Sequence, residues 1–427
     1  MNPINPVGNP QWKDLPSDVI KKVASEVNGL TLCHLSQLSK STRDITAQEF
    51  RVREMRSAIN AMAKENQILQ YLTTSPDFKQ AINPPINDPV QPFLVAARRG
   101  NCRSALWLLD HGCSAVSSAK GEGSVLGHLG RSICRIPGYL EGEYGQIFRR
   151  MVERGADINA VDHFGAPLIF DALHEMNQPA LDFFWQLGAD AGALDSEGNT
   201  LLHVAVKSHR VNREFLFDLI KRRPESLFHQ NNAGNTPLHE AIGSGKVGHA
   251  RFLLRLGAPV DVVNRADQTP LLKALCLRIP IENLKALITS DTVNHDDIQG
   301  NTPLHAACFT ADHAAVKLLL QEGAGLNSQN EKGQTPLHLL ITYAAPQFSA
   351  SAKEILDVLL KKPTFDLDVQ DGKGRTPLHL SRLIQNRWLH ERLLKRGADP
   401  FIRDDAGELG RWPYPSIFEK VRWSSVL

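Results

Sequence analysis

Histidine and cysteine are the residues of this chain best equipped for chemistry, as metal ligands, bases or nucleophiles. Five of its 16 histidines, His203, His239, His305, His338 and His379, share one setting, the fourth position of a TLLH or TPLH box. The chain has no HExxH pair, no P-loop and no GxGxxG after a strand. Its six cysteines, Cys33, Cys102, Cys113, Cys134, Cys276 and Cys308, are scattered without a Cys-x-x-Cys pair, which argues against a disulfide framework and against structural zinc. A Cys and His pair using Cys113 or Cys134 is the catalytic arrangement still to be weighed. The question is what the segments around these residues build.

The element that positions the histidines is a repeat. TPLHEA begins at Thr236, TPLLKA at Thr269, TPLHAA at Thr302, TPLHLL at Thr335 and TPLHLS at Thr376, and the steps from Thr236 to Thr335 are 33 residues each. Upstream the phase continues as TLLHVA at Thr200, APLIFD at Ala166, SVLGHL at Ser124 and QPFLVA at Gln91, giving nine units from Gln91 to about Phe401. Thr before Pro before an apolar run is a helix start: the hydroxyl caps free backbone N–H groups, and Pro at the first position needs none of its own. Small residues such as those in HAAC let helices approach, and a second run, AVKLLLQEGA, stops at Gly323, which suits a left-handed C-terminal cap. Each unit is therefore a helical hairpin. Between units lie NNAGN, NRADQ, DIQGN, NEKGQ and DGKGR, turn-rich stretches that project as fingers. One such unit cannot bury its apolar face, so the units must stack.

The TPLHxA box, the later LLxxGA and the 33-residue period together closely resemble the ankyrin repeat. The resemblance implies an all-α ankyrin-repeat solenoid with β-hairpin fingers, in which the box imidazole bonds the box Thr and neighbouring backbone. The histidines then read as scaffold. Departures from the pattern are the expansion RIPGYLEGEYGQ in the unit starting at Ser124, the extra AAPQFSAS in that starting at Thr335, and a turn before Ala166 that is one residue short. Insertions map to loops, which often carry function.

Partner contact in such stacks is implied on one concave face, made of finger positions and the exposed end of each first helix. The finger positions include Asn232, Arg265, Gln299, Glu331, Lys332 and Lys373. The helix-end positions include Arg98, Arg99, Arg131, Lys207, Leu277, Phe309, Thr310, Tyr343 and Leu383, basic in the early units and more apolar later. Arg98, Arg99, Arg131, Arg265, Gln299, Phe309, Glu331, Lys332 and Tyr343 are the substrate-binding candidates. Phe309 and Tyr343 are either interface anchors or rings packed under a neighbouring loop, such as the insertion near Phe348.

Before the repeats, DLPSDVIKKVASEV places Val19, Ile20, Val23, Ala24 and Val27 on one helical face, with Pro16 near the start. Asn28 and Gly29 break it, LTLCHLSQLSKS spaces Leu32, Leu35 and Leu38 as a second short helix, and TRDITAQEF begins a third. The Leu15-Pro16 opening with Val19, Ile20, Val23, Leu30, Leu32, Leu35, Leu38, Arg43 and Ile45 closely resembles the F-box, a small three-helix domain, over residues 14–50. In that family the Leu-Pro pair and these apolar positions dock on the Skp-family adaptor of a cullin-RING ubiquitin ligase. Leu15, Pro16, Val19, Ile20, Val23, Leu32, Leu35 and Leu38 are the implied adaptor contacts. The family often has Cys and Trp in the third helix where this chain has Ser39 and Thr42, which bears on affinity for the adaptor more than on fold. The alternative is that these helices only cap the first repeat. Residues 51–90 follow as a linker: an amphipathic helix with Val52, Met55, Ile59, Met62 and Leu69 at three-four spacing, then NPPINDPVQP. About three heptads with Asn66 in the stripe favour packing within the chain over a coiled coil, so a monomer is expected. Residues 402–427 close the chain as a cap, with Trp412, Phe418 and Trp423 covering the last unit, or as an export signal.

With 48 basic and 46 acidic residues and a net charge of +2, no bulk field attracts nucleic acid or anionic lipid. No stretch of about 18 apolar residues could span a bilayer, and the start of the chain lacks the pattern of a secretory signal, so a cytoplasmic protein without a membrane partner is expected. Every long segment is assigned to repeats or N-terminal helices, which leaves no room for a catalytic domain. No enzyme activity, metal or cofactor is expected. The sequence reads as a protein-protein interaction adaptor, the substrate-recognition subunit of an SCF-type ligase, or else as a scaffold or inhibitor that masks a partner without ubiquitin transfer. An F-box ahead of ankyrin repeats resembles effectors that intracellular bacteria deliver into the host cytosol, and a eukaryotic owner stays open.

Overall fold

The computed structural model describes residues 102–412, apart from 111, 114–117, 120–122, 136–139, 141, 162–164, 281–284 and 344–348. The F-box-like helices at 14–50, the linker 51–90, Arg98, Arg99, Phe348, Phe418 and Trp423 lie outside the described residues. The chain divides into two units, Met1–Ser196 and Glu197–Leu427.

In the first unit, helices α1 (Cys102–Asp110), α2 (Val125–Arg135), α3 (Glu143–Glu153), α4 (Leu168–His174) and α5 (Gln178–Gln186) alternate with turns, and one two-residue hairpin pairs Ser118 with Ser124. Its core is aromatic: Phe148, Phe183 and Phe184 meet with ring centroids 5.3–5.9 Å apart. Gly130 of α2 is where α4 comes closest, since a Cβ there would stand 2.3 Å from the Leu168 side chain. Asn177 caps α5 by accepting from the Ala180 amide and donates to the Cys134 carbonyl at 2.9 Å, so one side chain closes two helix ends.

The box at Ala166 starts one residue later than its letters suggest. Pro167 is the N-cap and the helix begins at Leu168. Counted from N-caps, the step to Thr200 becomes 33 residues, so the short turn disappears, although the next step, to Thr236, is 36 and the even 33-residue phase begins only there. The register change follows from Ala166, which has no hydroxyl to cap a helix at the place held elsewhere by Thr, so Pro167 stays extended at ψ 149° in a bridge with Val161.

The second unit repeats one hairpin. First helices α6 (Leu201–Lys207), α8 (Pro237–Gly243), α10 (Pro270–Cys276), α11 (Pro303–Phe309), α13 (Pro336–Tyr343) and α15 (Pro377–Leu383) each follow a Thr N-cap or box. Second helices α7 (Arg213–Arg222), α9 (Val247–Arg255), α12 (His313–Gln321), α14 (Ala350–Leu360) and α16 (Arg387–Lys395) return against them. Leu238, Leu271, Leu304, Leu337 and Leu378, at the same position of α8, α10, α11, α13 and α15, are fully buried, which is how stacking hides what a single unit exposes.

The fingers are hairpin turns tied into a ladder. Each opens on Asn or Asp whose side-chain oxygen accepts from the amides two and four residues on, at 2.8–3.1 Å, as at Asn231, Asn264, Asp297, Asn330, Asp371 and Asp404. Each then donates a backbone N–H to the finger before: Arg265 to Ala233 (3.0 Å), Ile298 to Ala266 (3.2 Å), Glu331 to Gln299 (3.0 Å), Gly372 to Lys332 (2.8 Å). A Cβ on Gly234 would stand 2.8 Å from the Arg265 nitrogen, and its φ is +75°, so glycine is required on both counts. The series runs past Phe401 to a further finger, where Asp405 donates to Lys373 at 3.1 Å.

Candidate partner-binding groove

The box histidines are fully committed. In all five, Nε2 stands 2.8–3.1 Å from a backbone carbonyl of the next finger: Asn235, Gln268, Gln334, Arg375 and Glu408. A carbonyl only accepts, so Nε2 carries the proton, and Nδ1 accepts from the amide and hydroxyl of the box Thr, the latter at 2.7–2.9 Å. Burial pushes His203 and His239 down to about 4 and lowers His305 and His338 in the same direction. Each ring is a neutral bolt from its own helix start to the next repeat, with no lone pair left for a metal.

Other reactive groups, Ser381, His390 and Cys134, are buried away from solvent. Ser381 and His390 lie 2.9 Å apart, yet both are buried and the hydroxyl donates to the Leu378 carbonyl at 2.6 Å, so no nucleophile faces solvent. Burial, with Asp171 and Glu175 nearby, raises the Cys134 thiol to about 12, which keeps it protonated and inert. Among the described residues, no group of three His, Cys, Asp or Glu is placed to hold a metal, and no helix is long and apolar enough to cross a membrane.

What remains is surface shape. Between the fingers and the ends of α10, α11 and α13 runs an open groove of about 500 Å³. Gln299, Phe309, Glu331, Lys332 and Tyr343, all chosen from repeat position, line it together. Phe309 and Tyr343 meet with centroids 4.5 Å apart and planes at 63° while staying 45% and 55% exposed. The rings pack on each other, and the insertion near Phe348, the alternative cover for them, lies outside the described residues. Arg265 is exposed one residue from Ala266, which lines the groove in its place. Arg131 lies in the first unit and pairs with Asp171 at 3.4 Å.

Several further residues line the groove, Cys276 among them at the helix-end position that Phe309 holds in the next unit. Asp297 and Ile298 line it beside the predicted ones. Ile298 was detectable: it is an apolar residue at a finger tip where its counterparts are Asn232, Arg265 and Glu331, and it is 58% exposed.

The face changes character along the second unit. Earlier, Lys207 and Lys273 flank Glu240, which takes hydrogen bonds from Asn231, Asn235 and Lys207 at 2.8–3.2 Å. Burial acts upward on the Glu240 carboxyl, but Lys207, Asn235 and Lys273 outweigh it and hold it below the usual range. That stretch is closed on itself, whereas Leu277, Phe309, Tyr343 and Leu383 leave the later helix ends apolar and open, each at least 45% exposed.

Comparison with known families agrees with both halves of the sequence reading. A model of ankyrin repeats matches residues 168–264 and 280–347, and a model of the F-box domain matches residues 12–51. The chain thus carries an F-box domain ahead of ankyrin repeats. It is 27% identical over 230 residues to human transient receptor potential cation channel subfamily A member 1, covering 51% of this chain and 20% of that protein. It is 26% identical over 214 residues to the phosphocholine transferase AnkX of Legionella pneumophila, covering 46% and 22%, and 35% identical over 173 residues to mouse neurogenic locus notch homolog protein 1, covering 39% and 6%. The chain spans about a fifth or less of the length of these relatives.

Proposed function

We propose that the chain is the substrate-recognition subunit of an SCF-type cullin-RING ubiquitin ligase. The F-box binds a Skp-family adaptor through Leu15, Pro16, Val19, Ile20, Val23, Leu32, Leu35 and Leu38, and the groove at Phe309 and Tyr343 holds a protein substrate. One observation carries the reading: an F-box domain and an exposed, aromatic-floored repeat groove occur in the same chain. The chain makes and breaks no bonds itself. It raises the effective concentration of substrate lysines near a ubiquitin-charged enzyme. The match to a Legionella pneumophila protein supports a bacterial effector acting in the host cytosol. The transferase named in that relative is not carried over, since only 22% of it is matched.

Co-purification with a Skp-family adaptor, wild type against a Leu15→Ala/Pro16→Ala variant, tests the proposal: the wild type binds and the variant does not. Absence of binding by either sinks it. The masking scaffold is the second reading, favoured by a groove built wholly from residues 266–343, far in sequence from the F-box. A cellular effect that survives deletion of residues 1–82 selects that reading.

A further inference from the structure

We propose that the groove selects a linear segment of the partner carrying a basic side chain, held between the Phe309 and Tyr343 rings and the Glu331 and Asp297 carboxylates, with an aliphatic neighbour on Ile298. The inference rests on the groove being the docking site and says what chemistry docks there. The two rings meet at 63°, so they form a notch and not a flat shelf. Ring faces carry negative quadrupole density and attract Lys or Arg cations. The charges lining the groove point the same way: Asp297 and Glu331 against Lys332, net −1 on a chain whose whole net charge is +2. His305 also lines it and adds no charge, because its ring is committed to Thr302 and to the Gln334 carbonyl.

The two carboxylates differ in what they have left to offer. Asp297 uses Oδ1 on the amides of Gln299 and Asn301, both at 2.9 Å, and Oδ2 meets only the Asn301 amide group at 3.4 Å. Glu331 is exposed and enters no ion pair among the described residues. An acidic partner segment would set its carboxylate beside both of these, which is repulsive. A purely apolar one would desolvate them without return. Ile298, 58% exposed, supplies apolar contact for the residue beside the cation. Lys332 opposes a basic ligand, and as a flexible exposed side chain it can swing aside. It is therefore the position at which binding can be improved.

The test is selection of a random twelve-residue displayed peptide library on the full-length chain, then anisotropy titration of the leading labelled peptide. Enriched peptides should carry Lys or Arg within three positions of Leu, Ile, Val or Met. The leading peptide should lose about tenfold in affinity with Glu331→Lys or Tyr343→Ala, and lose affinity as salt rises. Lys332→Glu should tighten it about threefold, a gain that a misfolded variant cannot mimic. Peptides that lack basic residues but still depend on Tyr343 overturn this inference and leave the docking site standing. Binding indifferent to both Tyr343→Ala and Glu331→Lys, or no enrichment at all, overturns both.

Discussion

The five box histidines look like reactive groups in a list of residues and behave as bolts in the fold, and that difference has a pH signature. His203 and His239 sit near 4 because burial disfavours the imidazolium, while in the unfolded chain they titrate near 6.5. Between those values the unfolded state binds more protons, so their stabilisation is complete above about pH 6.5, is lost as pH falls toward 4, and is flat below. A displacement of that size corresponds to about 3 kcal/mol per group. Thermal melts should therefore drop steeply from pH 7 to pH 5, and His239→Asn should start lower and drop less. Parallel curves for the two proteins would contradict the linkage. The capping Thr is the other half of the bolt: Thr302→Ala removes a 2.9 Å contact to His305 and should cost about 1 kcal/mol, read as a shift in urea midpoint with unchanged slope. The scaffold role and the Thr cap were legible in the TPLH letters, whereas the pH response comes from burial that stacking creates. His249 was not legible: its Nδ1 and Nε2 stand 2.9 and 3.1 Å from the Val206 and Val211 carbonyls, a contact set by how the 207–211 turn folds back, which no local pattern encodes.

Each element begins and ends where local chemistry says, and the turn within each hairpin shows where that chemistry is compromised. Nine residues beyond five of the first-helix N-caps the backbone enters the left-handed region. Gly245 does so at φ +67°, but Met176, Arg278, Ala311 and Gln385 do so at φ 53–56° carrying side chains. An L-residue there is strained by about 1–2 kcal/mol, partly offset by the freedom glycine has in the unfolded chain. Arg278→Gly, at an exposed position, should raise stability by about 0.5–1 kcal/mol, and Gly245→Ala should lower it by about 1 kcal/mol although nothing stands within 4 Å of the added Cβ. Chemical denaturation of the two variants checks the pair. Opposite signs are the outcome, and equal signs would show that the position is not held left-handed. The period located these elements to the residue wherever a Thr capped them. It slipped by one at Pro167, where Ala166 stands in place of the capping Thr and the helix starts a residue later. The groove was half legible for a related reason: position in the repeat selects Phe309 and Tyr343, and also Cys276 at the helix end before and Asp297 at the finger opening, but not which neighbouring units close on one groove.

Across the whole molecule, the proposed function needs two docking events that do not depend on each other. Repeat stacks pass stability only between neighbours, and the groove draws on residues 266–343 while the F-box occupies 12–51. A Phe309→Ala/Tyr343→Ala variant should therefore keep its Skp-family adaptor on co-purification while its hold on a substrate weakens about tenfold or more, as truncating paired aromatic anchors does. Leu15→Ala/Pro16→Ala should do the reverse. Ubiquitin transfer to the substrate, reconstituted with the remaining ligase subunits, should fall in both, because proximity requires both ends of the bridge at once. Combining the variants should then cost transfer little beyond the worse of the two. Loss of the adaptor from the groove variant would mean that the repeats and the F-box are coupled, and a substrate effect that survives without the adaptor would return the chain to the role of a mask.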